Sequence, residues 1–178
     1  MGWPQIKYMP TAPTLSPTRK SAGKYLTFSL HGGSYGIDVL KVREIIRRAS
    51  VTSVPSVPSY ILGVINLRGK IIPVMDLRLR FEFTDVSRLE ETCIVVVQVT
   101  LPDGKSTPMG LVVDGVEEVI NLTDADIEAT PEFGGQICTS YILGIAKVKG
   151  LVKSLLDIDG VVGSDLKPVL KTLVAPQS

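Results

Sequence analysis

The chain of 178 residues repeats itself, and that repeat limits its possible folds more than any other feature. Tyr35-Gly36-Ile37 returns as Met109-Gly110-Leu111, and Val42, Glu44, Ile45 and Ile46 return as Val116, Glu118, Val119 and Ile120, all displaced by 74 residues. Ser59-Tyr60-Ile61-Leu62-Gly63 then reappears unchanged as Ser140-Tyr141-Ile142-Leu143-Gly144, with Gly69 matched by Gly150 and Asp76 by Asp157, displaced by 81. The second copy therefore holds seven more residues, which the spacing puts in the loop Thr130–Cys138. Repeated sequence implies repeated structure, so the chain is expected to form two similar small β-barrels about a pseudo-twofold axis. A barrel of that size buries little alone, and pairing two enlarges the core.

The local pattern agrees. From Lys24 onward apolar residues alternate, with Leu26, Phe28 and Leu30 on one side and Tyr25, Thr27 and Ser29 on the other, which is the period of a half-buried strand. Further strands are expected at Ser34–Asp38, Val64–Leu67, Ile71–Leu77, Thr92–Thr100, Met109–Val113, Val116–Leu122, Ile142–Val148 and Leu151–Ile158, most of them bounded by glycine, proline or Asp-Gly. Val39–Arg48 fits a short helix as well as a strand. Ser164–Leu173 has helical spacing shortened by Pro168, so residues 164–178 read as a tail or short helix. Residues 1–23, with four prolines and no acidic residue, read as a disordered basic leader.

Composition removes several functions. Apolar residues make up 44% and charged residues 21%, the balance of a soluble globular protein. No apolar run nears the roughly 18–20 residues of a membrane span, so direct membrane insertion is not expected. The net charge of +1 offers no cationic field, and aromatics are only 6%, so nucleic acid is not an expected partner. One histidine, His31, and two separated cysteines, Cys93 and Cys138, are too few for a His/Cys zinc site, so neither metal nor cofactor is expected. The cysteine usage suits a reducing cytosol. Gly104-Lys105-Ser106 lacks the upstream glycine of a phosphate loop, since Val99 stands there. Asp157-x-Asp159-Gly160 lacks the flanking ligands of a calcium loop, where Leu155 and Leu166 stand. His31 opens a His-Gly-Gly turn and no nucleophile motif accompanies it, so no catalytic residue is expected. Gly63, Gly69, Gly144 and Gly150 are read as structural turn glycines, and Lys153, a charge in an apolar strand, is expected to extend its ammonium outward.

Asn66-Leu67-Arg68-Gly69-Lys70, followed by Pro73-Val74-Met75-Asp76-Leu77-Arg78, differs in kind from these strings. Two apolar strands flank an Arg-Gly turn that would hold a guanidinium out from a rigid hairpin, whereas the second copy carries Lys147-Val148-Lys149-Gly150. Together with the strings from Tyr35 to Ile45 and from Gly63 to Gly69, with Val112-Val113-Asp114-Gly115-Val116 and with Pro131-Glu132-Phe133, the chain from about Lys24 to Ile158 resembles the CheW-like family of bacterial chemotaxis coupling proteins.

The resemblance implies a mainly β fold of two five-stranded SH3-like barrels with short helices. Within a domain spanning 24–163, the first barrel is expected at roughly 24–90 and the second at roughly 91–163, with strand exchange between them possible. It implies a non-catalytic adaptor between the cytoplasmic tips of methyl-accepting chemoreceptors and the CheW-like regulatory domain of the histidine kinase CheA. The alternative is a scaffold of a non-motility chemosensory pathway. Such an adaptor would be cytoplasmic, held at the inner face of the membrane through receptor arrays. The family pattern assigns Val42, Glu44, Ile45 and Arg68 to a receptor-binding groove between the barrels, and Glu132 and Phe133 to a kinase contact.

Overall fold

Three two-residue turns organise the hairpins. At His31-Gly32, Arg68-Gly69 and Lys149-Gly150 both residues have positive φ, from +47° to +85°, the type I′ geometry whose twist matches that of paired strands. Glycine occupies the second position each time because it adopts that region without steric cost. These turns join β1 (Gly23–Leu30) to β2 (Gly33–Asp38), β4 (Ile61–Leu67) to β5 (Lys70–Asp76), and β10 (Ile142–Val148) to β11 (Leu151–Leu156). The other strands of this computed structural model are β3 (Val42–Ile46), β6 (Cys93–Thr100), β7 (Ser106–Val113), β8 (Gly115–Leu122) and the short β9 (Ile127–Glu128). A four-residue helix, α1 (Leu77–Arg80), follows β5. The structure describes residues 22–47, 49–84, 91–101, 103–129 and 141–163. The expected helix at Ser164–Leu173 and the leader before residue 22 lie outside them.

The strands form two sheets, in the orders β8-β1-β2-β11-β10-β9 and β3-β6-β7-β5-β4. Under the displacements of the sequence repeat, β8, β10 and β11 answer to β3, β4 and β5, and β7 answers to β2; β6 answers to β1 by its pairing, since Val96 lies opposite Gly110 as Thr27 lies opposite Gly36. Apart from β9 at one edge, the two sheet orders are then one order written twice. Each sheet combines the first two strands of one copy with the later strands of the other, three in the five-stranded sheet and four, counting the short β9, in the six-stranded one. We call them the terminal barrel (β1, β2, β8–β11) and the middle barrel (β3–β7); neither sheet closes completely. The chain therefore does not divide between barrels near residue 90, since residues 23–38 belong with residues 115–156. Parallel pairs hold the exchanged pieces together, β2 with β11 through Tyr35 to Ile37, and β7 with β5 through Gly110 to Val112. Parallel neighbours need a crossover connection, and the exchange between copies supplies it.

Side-chain alternation fills three apolar layers. Tyr25, Ile120, Leu122, Ile127, Ala146 and Leu155 fill the terminal barrel, and Ile65, Ile72, Val74, Ile94, Val96 and Val112 fill the middle one. The largest layer lies between the sheets, where Leu26, Phe28 and Leu156 of one meet Val95, Val97 and Leu111 of the other. Of the segment 39–48, which fitted helix or strand, residues 39–46 are one and then the other. Asp38 caps a single 3-10 turn (Val39–Lys41) by accepting the Leu40 N–H at 2.9 Å, and β3 follows. Gly63 and Gly144, expected at turns, lie inside β4 and β10 at β-bulges. A Cβ on Gly63 would fall 2.0 Å from the Thr52 carbonyl oxygen, so the close pass of the Thr52 backbone, bridged to Val64, fixes the residue as glycine.

Candidate functional site, two unequal barrel ends

A cavity of about 380 Å3 opens at one end of the middle barrel. Its deep lining is Ile72 and Val96, both from the barrel interior, with Leu67 and Pro108 half-buried beside them. Arg43, Arg68 and Lys70 stand exposed around the mouth with Glu44 among them. Arg68 holds its place because its backbone is fixed at the tip of the β4–β5 turn, where the Asn66 side chain also accepts the Gly69 N–H at 2.9 Å. From that tip the guanidinium donates two parallel hydrogen bonds to the Glu44 carboxylate, at 2.7 and 2.9 Å. Since β3 and β4 are the outer strands of the sheet, this fork spans the opening where the barrel fails to close. The pair keeps the Glu44 carboxyl below its ordinary range, chiefly through the Arg68 hydrogen bonds, and raises the Arg68 guanidinium by the same contact. Arg68 remains 73% exposed.

The residues assigned to receptor binding do not share one surface. Along β3 the pairing runs from Val42 opposite Val97 to Glu44 opposite Val96, leaving Arg43 as a bulge residue. The extra residue puts Val42 with Ile45 on the side of Val95 and Val97, toward the layer between the sheets, while Glu44 lies on the side of Val96. Val42 packs against the central core, while Ile45 is 43% exposed. The space between the sheets is filled by that core. Glu132 and Phe133 lie outside the described residues. Gly69 and Gly150 occupy equivalent turn positions with open space beside them.

The matching end of the terminal barrel is occupied. Lys153, Ser34, Glu117 and Thr27 answer in the repeat to Ile72, Pro108, Arg43 and Val96, all of which line the cavity of the middle barrel. Lys153 does not extend outward as its sequence context implied. It is 4% exposed and lies on the same face of β11 as the interior residue Leu155. Its ammonium donates to Ser34 Oγ at 2.9 Å and to Glu117 Oε1 at 3.3 Å, and Ser34 donates to the same carboxylate oxygen at 2.7 Å. Burial alone would raise the Glu117 carboxyl, but the Ser34 and Lys153 contacts outweigh it and hold the group low. Thr27 completes the cluster by donating to the Glu118 carbonyl at 2.8 Å, bracing a bulge equivalent to that at Arg43.

Two further polar ties, not found from the sequence, join the copies. Arg78, 1% exposed, donates two hydrogen bonds at 2.9 Å to the Asp76 carboxylate and one at 3.1 Å to Asp114, and Asp76 holds the guanidinium pKa up. Asp159 is the counterpart of Arg78 with reversed charge. It accepts from Lys41 at 3.2 Å and from the Thr100 N–H at 2.8 Å in a more exposed setting. The only sequence signal was the position of Asp76 and Arg78 within the Pro-Val-Met-Asp-Leu-Arg string. No group of metal-ligating side chains gathers among the described residues, and no described helix is long and apolar enough to cross a membrane.

Comparison with known proteins agrees with this architecture. The profile of the CheW-like domain matches residues 24–165. The chain is 37% identical to the chemotaxis protein CheW of Klebsiella aerogenes over 85% of its own length and 91% of that protein's, and 31% identical to CheW of Bacillus subtilis over 82% and 90%. The crystal structure of the scaffolding protein TtCheW from Thermoanaerobacter tengcongensis superposes with a TM-score of 0.72 at 34% identity, covering 83% of this chain and 97% of that one. With its duplicated, strand-exchanged barrels and this match over most of its length, the chain belongs to the CheW-like family of non-catalytic chemotaxis scaffolds.

Proposed function

We propose that the chain couples the cytoplasmic tips of chemoreceptors to the histidine kinase CheA, holding both partners at once within arrays at the inner face of the membrane. The observation that carries this reading is the middle-barrel rim, where a rigidly mounted Arg68–Glu44 pair stands over an open cavity with Leu67 and Pro108 in its wall. A receptor's helical hairpin supplies the apolar anchors and charges that such a rim can register. The kinase contact is assigned to Glu132 and Phe133 and to barrel-end packing against the kinase's CheW-like domain. Bivalent binding of this kind raises the effective concentration of kinase at receptor without any bond being made or broken.

The test is reconstitution with CheA and a receptor cytoplasmic fragment, scored by kinase autophosphorylation. Arg68→Glu removes the fork from an exposed position and puts like charge opposite Glu44, so folding should survive while receptor capture and kinase stimulation fall. Wild-type capture and stimulation by Arg68→Glu would refute the receptor assignment. Phe133→Ala is expected to leave one-to-one kinase binding intact and to impair assembly of larger arrays.

A further inference from the structure

We infer that the middle-barrel cavity is a socket for an apolar side chain flanked by a carboxylate on a partner's amphipathic helix, and that Lys153 makes the molecule one-sided by plugging the equivalent socket of the terminal barrel. The inference rests on the adaptor reading above and names the chemistry the partner must present. The cavity, at about 380 Å3, falls within the range of roughly 300–1,000 Å3 typical of clefts that hold a ligand group. Half-buried Leu67 and Pro108 give its wall apolar surface above the buried Ile72 and Val96, which favours an alkyl or aromatic side chain.

The mouth carries three cations and one carboxylate, and that carboxylate is already engaged by Arg68. Among the described residues no ion pair engages Arg43 or Lys70, so the rim attracts a negative group. Residues three or four apart on a helix lie side by side, so one helix face can present an apolar anchor and a carboxylate together. The terminal barrel shows what occupation looks like. Where the middle barrel has Ile72, Arg43 and Pro108, it has Lys153, Glu117 and Ser34, which bond to one another and leave no request for a partner.

The repeat itself supplies the test. The triple variant Ile72→Lys/Arg43→Glu/Pro108→Ser writes the terminal plug into the middle barrel with its own bonding partners. Binding to a receptor cytoplasmic fragment should weaken about tenfold or more, while binding to the CheA regulatory domain and the thermal midpoint change little. Lys70→Glu, a surface change, should weaken receptor binding about threefold to tenfold and flatten its dependence on salt. A triple variant that folds and binds the fragment like wild type overturns the socket while leaving the adaptor reading in place. Wild-type protein that binds no receptor fragment overturns both. If the triple variant does not fold, Lys70→Glu decides the matter, and unchanged affinity and salt dependence in it overturns the socket.

Discussion

At corresponding places in one duplicated frame, the middle barrel leaves a cavity over Ile72 and the terminal barrel fills it with Lys153. The backbones there are alike, down to the bulge on β3 and its counterpart on β8. The difference lies in side chains alone. A duplicated fold starts with two equal surfaces, and changing three or four residues at one of them breaks that equality without disturbing strand order. The polar ties obey the same logic, since Arg78 reaches Asp114 in one half while Asp159 reaches Lys41 in the other with the charges reversed. One tie is buried and the other half-exposed, so the halves should differ in how much each tie matters.

Removing the buried tie should have the largest effect. Arg78→Ala leaves the Asp76 carboxylate buried without its partner and is expected to destabilise the chain by about 3–5 kcal/mol. Lys41→Ala breaks a screened pair and should cost about 1 kcal/mol or less. Chemical denaturation of both variants measures the gap, and equal losses would deny that the halves differ. Next come the glycines of the identical Ser-Tyr-Ile-Leu-Gly segments. Gly63→Ala forces a Cβ onto the Thr52 carbonyl oxygen and should cost about 3 kcal/mol. Gly144→Ala meets the Ile127 side chain at 2.8 Å and the Glu128 carbonyl at 3.0 Å, contacts that can relax, and should cost about half as much.

Lys153→Met keeps the stem and removes the charge. Glu117 is partly open to water, so the loss should be about 1–2 kcal/mol, visible in the urea midpoint. The smallest effect belongs to the rim. The Glu44 carboxyl lies below its ordinary value of 4.5 because Arg68 donates to its charged form. Its stabilising contribution is therefore complete above that value and lost as pH falls through the lower, folded one. A side-chain carboxyl titration by NMR should find the depressed midpoint in the wild type and its return to the ordinary range in Arg68→Ala.

Much of this molecule was legible before any coordinates. The displacements of 74 and 81 announced two copies, and period-two patterning located nearly every strand. Arg-Gly and Lys-Gly between apolar runs marked hairpin tips because only a few residue types suit positive φ. The rim arginine was visible as a difference between copies. Its pairing with Glu44 was not, because the two residues are 24 apart and meet only where the outer strands of one sheet face each other. Val42, two residues from Glu44, looked like its companion until a single bulge residue, Arg43, turned it to the opposite face, where ordinary alternation also puts Ile45.

The amino-acid order thus determined the elements, the turns and the duplication, because those depend on neighbours in the chain and on the conformations each residue can adopt. Which copy's strands pair with which was decided in three dimensions. Matching copies present matching edges, and a strand's hydrogen bonds carry no record of the repeat that supplies them. The fate of Lys153 was decided there as well. An ammonium in an apolar strand goes outward unless partners await it inside, and those partners, Ser34 and Glu117, come from distant parts of the chain.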